Sequence, residues 1–406
     1  LKKLLVTAST FPRWQGDSTP DFIYQLVKYL TEDFDVYVLA PYAKGTKTFE
    51  TFDNIKIFRY KYMPFGLGSL SYDGGMTSKL EKNKFYYFQI PFFLLFQLLS
   101  LMKIIKRENI DIIHSHWIIP QGFVAALYKR IFNKNIKILA TSHGADIFTF
   151  DNIIGNFIKK FTLQNIDMVT AVSNTIKDKV METGYDEDIR VYPMGVDKEL
   201  FNPGKKDMSI RENLNIRGDF LLFVGRLSEK KGLKYLLEAM PDVIKEFPLI
   251  SLIVIGDGPL KNDFIYLAKK LDIIDNVTFL GPLAHEKLPS FFATADIFIG
   301  PSITAKSGDS EGFGLVLAEA MSCGTLLLTT DLPVIKEIVK DNETGFIVKQ
   351  KNSKELSEKI LYLLKNKDKL DEIKSRAREH VIENFDWKIV GKKYIRLLKS
   401  LSMGFC

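Results

Sequence analysis

The stretch Phe220-Leu-Leu-Phe-Val224-Gly225-Arg226-Leu-Ser-Glu-Lys230-Lys231-Gly232 decides the fold. A continuous apolar run reads as a strand covered on both faces, the pattern of a parallel sheet. Glycine then turns the chain, and a helical pattern follows Gly232. The same strand–loop–helix unit recurs in both directions along the chain. Downstream, strands are expected at 251–255, 277–280, 297–300, 325–329 and 345–348; upstream, at 3–8, 35–39, 55–60, 110–114, 136–140 and 168–172. Short β-branched runs alternating with longer helical segments are the α/β signature.

Between the two series, residues 191–206 turn irregular, with Tyr-Pro-Met-Gly-Val-Asp followed by Phe-Asn-Pro-Gly-Lys-Lys. The expected organisation is an N-terminal domain over 1–195, a linker over 196–216, a second domain over 217–385 and a basic amphipathic helix over 386–406 crossing back to the first. Two doubly wound domains so joined would face each other across a cleft, with ligands at the carboxyl ends of the strands.

The chain of 406 residues carries a formal net charge of +7, which invites nucleic acid, an anionic membrane or a phosphorylated substrate. No nucleic-acid motif is present, and the aromatics stand in apolar runs instead of interleaving with Lys and Arg, so nucleic acid is excluded as a partner. Two cysteines, Cys323 and Cys406, cannot build a disulfide framework and suit a reducing, cytoplasmic compartment. Residues 1–6 read as a first strand, not as a signal peptide. The apolar run 85–105 is long enough to cross a bilayer, but Gln89, Pro91, Gln97 and Lys103 interrupt it. A helix packed on the sheet is expected there, with contact between its aromatic start or cationic end and a membrane surface as the second reading.

Four groups of residues carry chemistry. Arg226 and Lys231 follow a strand end, where a guanidinium and an ammonium would hold a diphosphate; a solvated basic loop is the alternative. In Gly256-Asp257-Gly258-Pro259, at another strand end, the glycines either line a nucleotide or only permit close packing. Glu311 and Glu319 flank a Gly312-Phe313-Gly314-Leu315 loop that runs into a helix. They are expected two turns apart on one face, offering carboxylates to hydroxyls and free N–H groups to oxygen acceptors. Three of the five histidines lie at strand ends: His114, His116 and His143. His114 and His116 would share one face of a strand, a spacing that either could bind a metal or is only structural, and Asp146 is placed to orient the ring of His143. The loop 9–20, containing Arg13, Gly16 and Asp17, either reaches a phosphate or acceptor, or is a surface turn.

Taken together, these motifs resemble the GT-B-fold glycosyltransferases of family 4, along essentially the whole chain. The matching residues are Gly225-Arg226-Leu…Lys231-Gly232, Gly256-Asp-Gly-Pro259, Ala295-Asp-Ile-Phe-Ile-Gly-Pro301-Ser302, Glu311-Gly-Phe-Gly…Glu319-Ala-Met-Ser-Cys-Gly324, His-Ser-His116-Trp117 and His143-Gly-Ala-Asp146. The resemblance implies a retaining enzyme whose Arg226 and Lys231 bind the donor diphosphate in place of a metal, so no metal and no cofactor is expected. It further implies that Glu311 and the amides of residues 312–314 hold the donor sugar and Glu319 the ribose. His143 would lie beside the transferred sugar, and residues 257–260 with Pro282 and Leu283 would frame the base. The partners it implies are a nucleotide-diphospho-sugar donor and a glycan or lipid-linked acceptor; the net charge, the segment 85–107 and the basic last helix suggest a peripheral place at the inner face of the plasma membrane. Arg13, Gly16, Asp17, His116 and Asp146 fall on the acceptor side.

Two departures stand out. Many relatives have a Gly-Gly pair where this chain has Gly16-Asp17, which weakens any phosphate contact from that loop. A longer run, 303–310, separates Ser302 from Glu311, similar to a subset acting on cell-surface polysaccharides. A GT-B-fold sugar-nucleotide epimerase and an inactive paralogue serving as a complex subunit are the rival functions.

Overall fold

The computed structural model describes residues 1–403 except 15, 18, 20, 73–75, 77, 78, 81, 82 and 151. Cys406 and three positions of the first loop (Gln15, Ser18 and Pro20) therefore lie outside the described residues. The chain divides into two compact units, Leu1–Gly195 with Trp387–Cys406, and Val196–Asp386.

Unit 1 holds an eight-stranded sheet. Its strands are β1 (Lys2–Thr7), β2 (Phe34–Pro41), β3 (Phe49–Phe52), β4 (Ile55–Tyr60), β5 (Ile112–His116), β6 (Lys137–Ser142), β7 (Met168–Ala171) and β8 (Ile189–Val191). They lie in the order β3-β4-β2-β1-β5-β6-β7-β8, all parallel except β3, which pairs antiparallel with β4. Leu4, Leu5 and Val6 are wholly buried, as a strand between two helical layers demands. The strand order reverses direction between β1 and β5, so the loops after those strands diverge and leave a crevice. β3 and β8 were not anticipated from the sequence.

Unit 2 repeats the plan with β9 (Phe220–Val224), β10 (Ser251–Ile255), β11 (Val277–Gly281), β12 (Ile297–Gly300), β13 (Leu326–Thr330) and β14 (Phe346–Val348). The order is β11-β10-β9-β12-β13-β14, parallel throughout, with its switch point between β9 and β12. One face is sealed by a single core in which Phe223, Leu236, Met240, Val254 and Ile360 are excluded from water.

Residues 196–216 are not a linker but part of unit 2. The Arg211 guanidinium pairs with Asp296 at 2.5 Å, the Asp207 N–H donates to Thr294 Oγ1 at 2.9 Å, and Ser322 Oγ donates to the Phe201 carbonyl at 2.7 Å. Proline and glycine there mark turns, and these long-range partners fasten the turns to the domain. Helix Trp387–Met403 packs on helix Phe22–Leu30 of unit 1, where Gly391 sits against the Tyr29 ring because a Cβ would meet it. Cys323 is buried, which pushes its thiol up and leaves it an inert core residue.

The run from 85 onward forms one helix, Phe85–Glu108, lying over β2 and β4. Its inner face buries Phe93, Leu101 and Ile104 together with Gln89 and Gln97, whose amides find partners in Ser69 and Tyr60. The helix is covered along one side by its own sheet, and its length and composition would also allow it to cross a bilayer.

Candidate active site

In unit 2 the predicted donor residues other than Glu319 follow carboxyl ends of parallel strands: Gly225, Arg226 and Lys231 after β9, Gly256, Asp257 and Gly258 after β10, Pro282 and Leu283 after β11, and Glu311 to Leu315 after β12. The loops are locked to each other by backbone contacts. The Leu227 N–H donates to the Asp257 carbonyl at 2.9 Å and the Leu260 N–H to the Leu227 carbonyl at 3.0 Å. Gly256, at φ 139°, lies so close that a Cβ would run into the Gly225 carbonyl oxygen, and Gly232, at φ 69°, stands in the same relation to the Pro301 carbonyl. These two glycines are therefore packing requirements of the crossing loops.

Lys231 Nζ and Glu311 Oε2 meet at 2.5 Å beside the β9/β12 switch point, both side chains largely buried. Burial alone would raise the Glu311 carboxyl, but the charges of Lys231 and Lys230 and the Lys231 and Gly312 hydrogen bonds hold it below its ordinary value. The neighbouring Lys230 pairs with Asp309 at 3.1 Å and the Lys230 carbonyl accepts from the Ile303 N–H at 2.8 Å. The run 303–310 is thus clasped to the basic loop, with Lys306 N–H donating to Glu229 Oε1 at 3.3 Å.

Glu311 and Glu319 do not share a helix face. The helix is Leu315–Ser322, opened by Gly314 in the left-handed region at φ 87°, so Glu311 stays in the loop before it. Glu319 is 2% exposed, and its Oε1 lies 2.7 Å from Nε2 of His285, whose ring packs on Phe201. Sequence reasoning missed His285. Its only signal was a histidine shortly after a strand end, four residues beyond Gly281. Phe313 is buried edge-on against Phe385, which anchors the glycine loop.

In unit 1, His143 follows β6, and its ring is oriented by His116, not by Asp146. His116 Nδ1 and His143 Nε2 lie 2.9 Å apart, with Phe22 and Trp117 packed on the His143 ring. Asp146 instead accepts from the Ile118 N–H at 2.7 Å, from Ser142 Oγ at 3.1 Å and from the His143 and Gly144 N–H groups. Its two oxygens are spent on backbone N–H groups and the Ser142 hydroxyl, so it sets the loop rather than the ring; burial outweighs those bonds and raises its carboxyl. His114 and His116 do share a strand face, ring centroids 4.3 Å apart, and His114 Nε2 lies 2.8 Å from Thr141 Oγ1. Burial drives His114 and His143 down to about 3 and His116 well below its ordinary value, so all three rings are neutral at physiological pH. Among the described residues no group of three His, Cys, Asp or Glu side chains converges as a metal-ligand set.

Arg13 and Asp17 hold one another: Asp17 accepts from the Arg13 guanidinium at 2.7 and 3.0 Å and from its N–H at 2.9 Å. Burial opposes ionisation of Asp17, but these bonds and Thr19 lower its carboxyl to about 2. Gly16 is exposed at φ 75°. A polar hollow of about 440 Å³ beside helix Ile153–Gln164 contains none of the residues singled out above.

Two doubly wound units, each carrying polar loops at the carboxyl ends of its strands, are the architecture of the GT-B fold. The family model "Glycosyltransferase Family 4" matches residues 21–200 and "Glycosyl transferases group 1" matches 205–380. The chain is 28% identical over 340 residues to N-acetyl-alpha-D-glucosaminyl L-malate synthase of Bacillus anthracis, covering 82% of this chain and 85% of that one. It is 30% identical over 342 residues to the phosphatidylinositol N-acetylglucosaminyltransferase GPI3 subunit of Saccharomyces cerevisiae, covering 78% and 71%. The solved structure of Anabaena HepE in complex with UDP-glucose superposes with a TM-score of 0.75 at 19% identity, over 98% and 99% of the two chains. The chain belongs to the group 1, family 4 glycosyltransferases.

Proposed function

We propose that the protein transfers a hexose-type sugar from a nucleotide-diphospho-sugar to a hydroxyl of a glycan or lipid-linked acceptor, retaining the anomeric configuration, in glycolipid or cell-surface polysaccharide synthesis. The observation that carries this reading is the Lys231–Glu311 pair at the switch point of unit 2, with Arg226 on the same loop. An ammonium and a guanidinium there suit a diphosphate, and a carboxylate with glycine N–H groups suits sugar hydroxyls. The Anabaena structure holds UDP-glucose, and both curated relatives are named for transfer or attachment of an N-acetylglucosaminyl group, which supports a nucleotide-sugar donor.

Arg226 and Lys231 neutralise the departing diphosphate without a metal. Glu311 and the amides of residues 312–314 fix the sugar; Glu319 takes the ribose, and Asp257, Pro282 and Leu283 frame the base. The acceptor side falls to Arg13, Gly16, Asp17, His116 and Asp146, the last two acting by holding His143 and its loop. In the step itself the bond from the anomeric carbon to the phosphate oxygen breaks and one to the acceptor oxygen forms on the same face. The acceptor proton passes to the departing phosphate oxygen, so no protein nucleophile is required. Catalysis is then positional and electrostatic.

The test is incubation with UDP-, GDP- and ADP-sugars, following protection against thermal unfolding, nucleotide release and the anomeric signal of the product. Protection by none of them, or an inverted product, overturns the reading. Epimerised donor formed without acceptor identifies the epimerase instead. The yeast relative is named as a subunit, which favours a second reading in which the chain works within a larger assembly. We propose the cytoplasm, at the inner face of the plasma membrane, as the location of this work; the net charge of +7 and the compartment suggested by the cysteines support that reading.

A further inference from the structure

Helix Phe85–Glu108 is amphipathic in the wrong sense for a helix facing water. Its glutamines point inward to Ser69 and Tyr60, while Phe85, Phe88, Phe92, Leu95, Phe96 and Leu99 are exposed along one continuous outer stripe. Those six positions extend about 21 Å along the helix axis. The stripe then turns cationic: Lys103, Lys106 and Arg107 are exposed on the same side, and no acidic residue occurs between Lys84 and Glu108. Among the described residues neither Lys103 nor Lys106 has an ion-pair partner.

A second exposed apolar group lies at the start of helix Ile153–Gln164, where Ile153 is 90%, Ile154 72% and Phe157 71% exposed. The topology puts both groups on one face of unit 1. Helix Phe123–Ile131 packs between the two helices, so all three cover the same face of the sheet. Each of the outer two leads directly into a parallel strand, β5 and β7, and so begins at the edge where the strands end. Phe65, 98% exposed, and Leu67 follow β4 at that same edge, as His143 follows β6.

We propose that this helical face of unit 1 docks on an anionic lipid bilayer, with helix Phe85–Glu108 lying along the surface, its aromatic stripe in the headgroup boundary and Lys103 and Lys106 against lipid phosphates. A protein partner of ordinary chemistry would meet about one hydrogen bond per 100–200 Å² of interface. The stripe from Phe85 to Leu99 offers only the Tyr87 hydroxyl among its exposed side chains, which suits acyl chains better than a polypeptide. Aromatic and aliphatic residues on one flank, with cations alongside, is the pattern of helices that lie in a bilayer surface. Cationic flanks select anionic lipid, and the attraction is screened by salt. The docking is independent of the transfer reaction, so either can fail alone.

The experiment is co-sedimentation of the full chain with vesicles of phosphatidylcholine, alone and mixed with phosphatidylglycerol, at low and high salt. The expected result is binding to the mixed vesicles that weakens with salt. The triple variants F88S/F92S/F96S and I153S/I154S/F157S should each lower the bound fraction about tenfold. K103S/K106S should remove the preference for phosphatidylglycerol while leaving the fold intact. All positions are exposed, so unchanged unfolding temperature and unchanged donor protection in each variant separate lost docking from lost structure. Failure of the wild type to bind mixed vesicles at low salt overturns the proposal, as does wild-type binding by both triple variants. A wild-type dimer that F88S/F92S/F96S converts to monomer also overturns it, since the stripe would then be covered by a second copy.

Discussion

Lys231 and Glu311, 80 positions apart in the chain, meet through Nζ and Oε2 at 2.5 Å. Each is the other's counter-ion, so a diphosphate entering beside them competes with Glu311 for the ammonium. The pair keeps two charges ready at fixed positions, the preorganisation that electrostatic catalysis needs. Lys231→Ala and Glu311→Ala should each lower kcat by about 10²–10³ with little change in unfolding temperature. Wild-type turnover in either variant would remove both residues from the reaction.

Glu319 is held by His285, a contact that fixes the direction of its free oxygen. Loss of a charged hydrogen bond to a ribose hydroxyl costs about 1.5–3 kcal/mol. Glu319→Ala should therefore weaken nucleotide binding by about ten- to a hundredfold, with His285→Ala intermediate, both read by calorimetry. A donor lacking the ribose hydroxyls should bind wild type and Glu319→Ala alike. Persistent discrimination by the variant would assign the ribose elsewhere.

With Arg226 and Lys231 supplying the positive charge, activity should survive EDTA undiminished. Activity lost to chelation and restored by added divalent cation would show that these two side chains do not suffice.

The buried histidines make stability depend on pH. His114 titrates near 6.5 when unfolded and near 3 when folded, so the unfolded chain binds the proton first. Its contribution is complete above the unfolded value and declines as pH falls through this window, by up to about 1.4 kcal/mol per pH unit. Urea midpoints taken across that range should fall on acidification, and His114→Phe should flatten the slope. An unchanged slope in the variant would mean that His114 is not the proton acceptor responsible.

Gly232→Ala combines a left-handed backbone with a Cβ aimed at the Pro301 carbonyl. It should cost about 1–3 kcal/mol, visible as a lowered melting temperature. Gly16→Ala, in open space, should lose only the backbone part of that penalty. Equal losses at the two positions would show that loop crossing is not what Gly232 serves.

Much of the fold could be read from the sequence because its central strands are unbroken apolar runs. Residues 220–224 and 251–255 had their ends set by the glycine that follows. The edge strands Phe49–Phe52 and Ile189–Val191 escaped notice because one side of each is exposed and each is short, leaving no apolar run to see. In the site, residue type and position in the sequence singled out Lys231, Glu311, Glu319 and His143 as candidates, and the structure sets Lys231, Glu311 and His143 in loops that follow strands. Partners were not legible, since His116 reaches His143 and His285 reaches Glu319 across 27 and 34 positions. Asp146 was misassigned for the same reason: nothing in a sequence says that a carboxylate will be consumed by backbone N–H groups of its own turn and of Ile118. The pairing of Glu311 and Glu319 on one helix failed at Gly314, whose left-handed conformation starts the helix one turn late.

Helix Trp387–Met403 completes unit 1 although all of unit 2 is translated before it. On the ribosome, therefore, the domain begun first is finished last. Until the final turns emerge, Tyr29, Thr141 and His114 wait without the Gly391 and Tyr394 surface that closes over them. A premature stop near residue 386 would release a chain with an intact second half and an open first one, a natural substrate for chaperones and proteases.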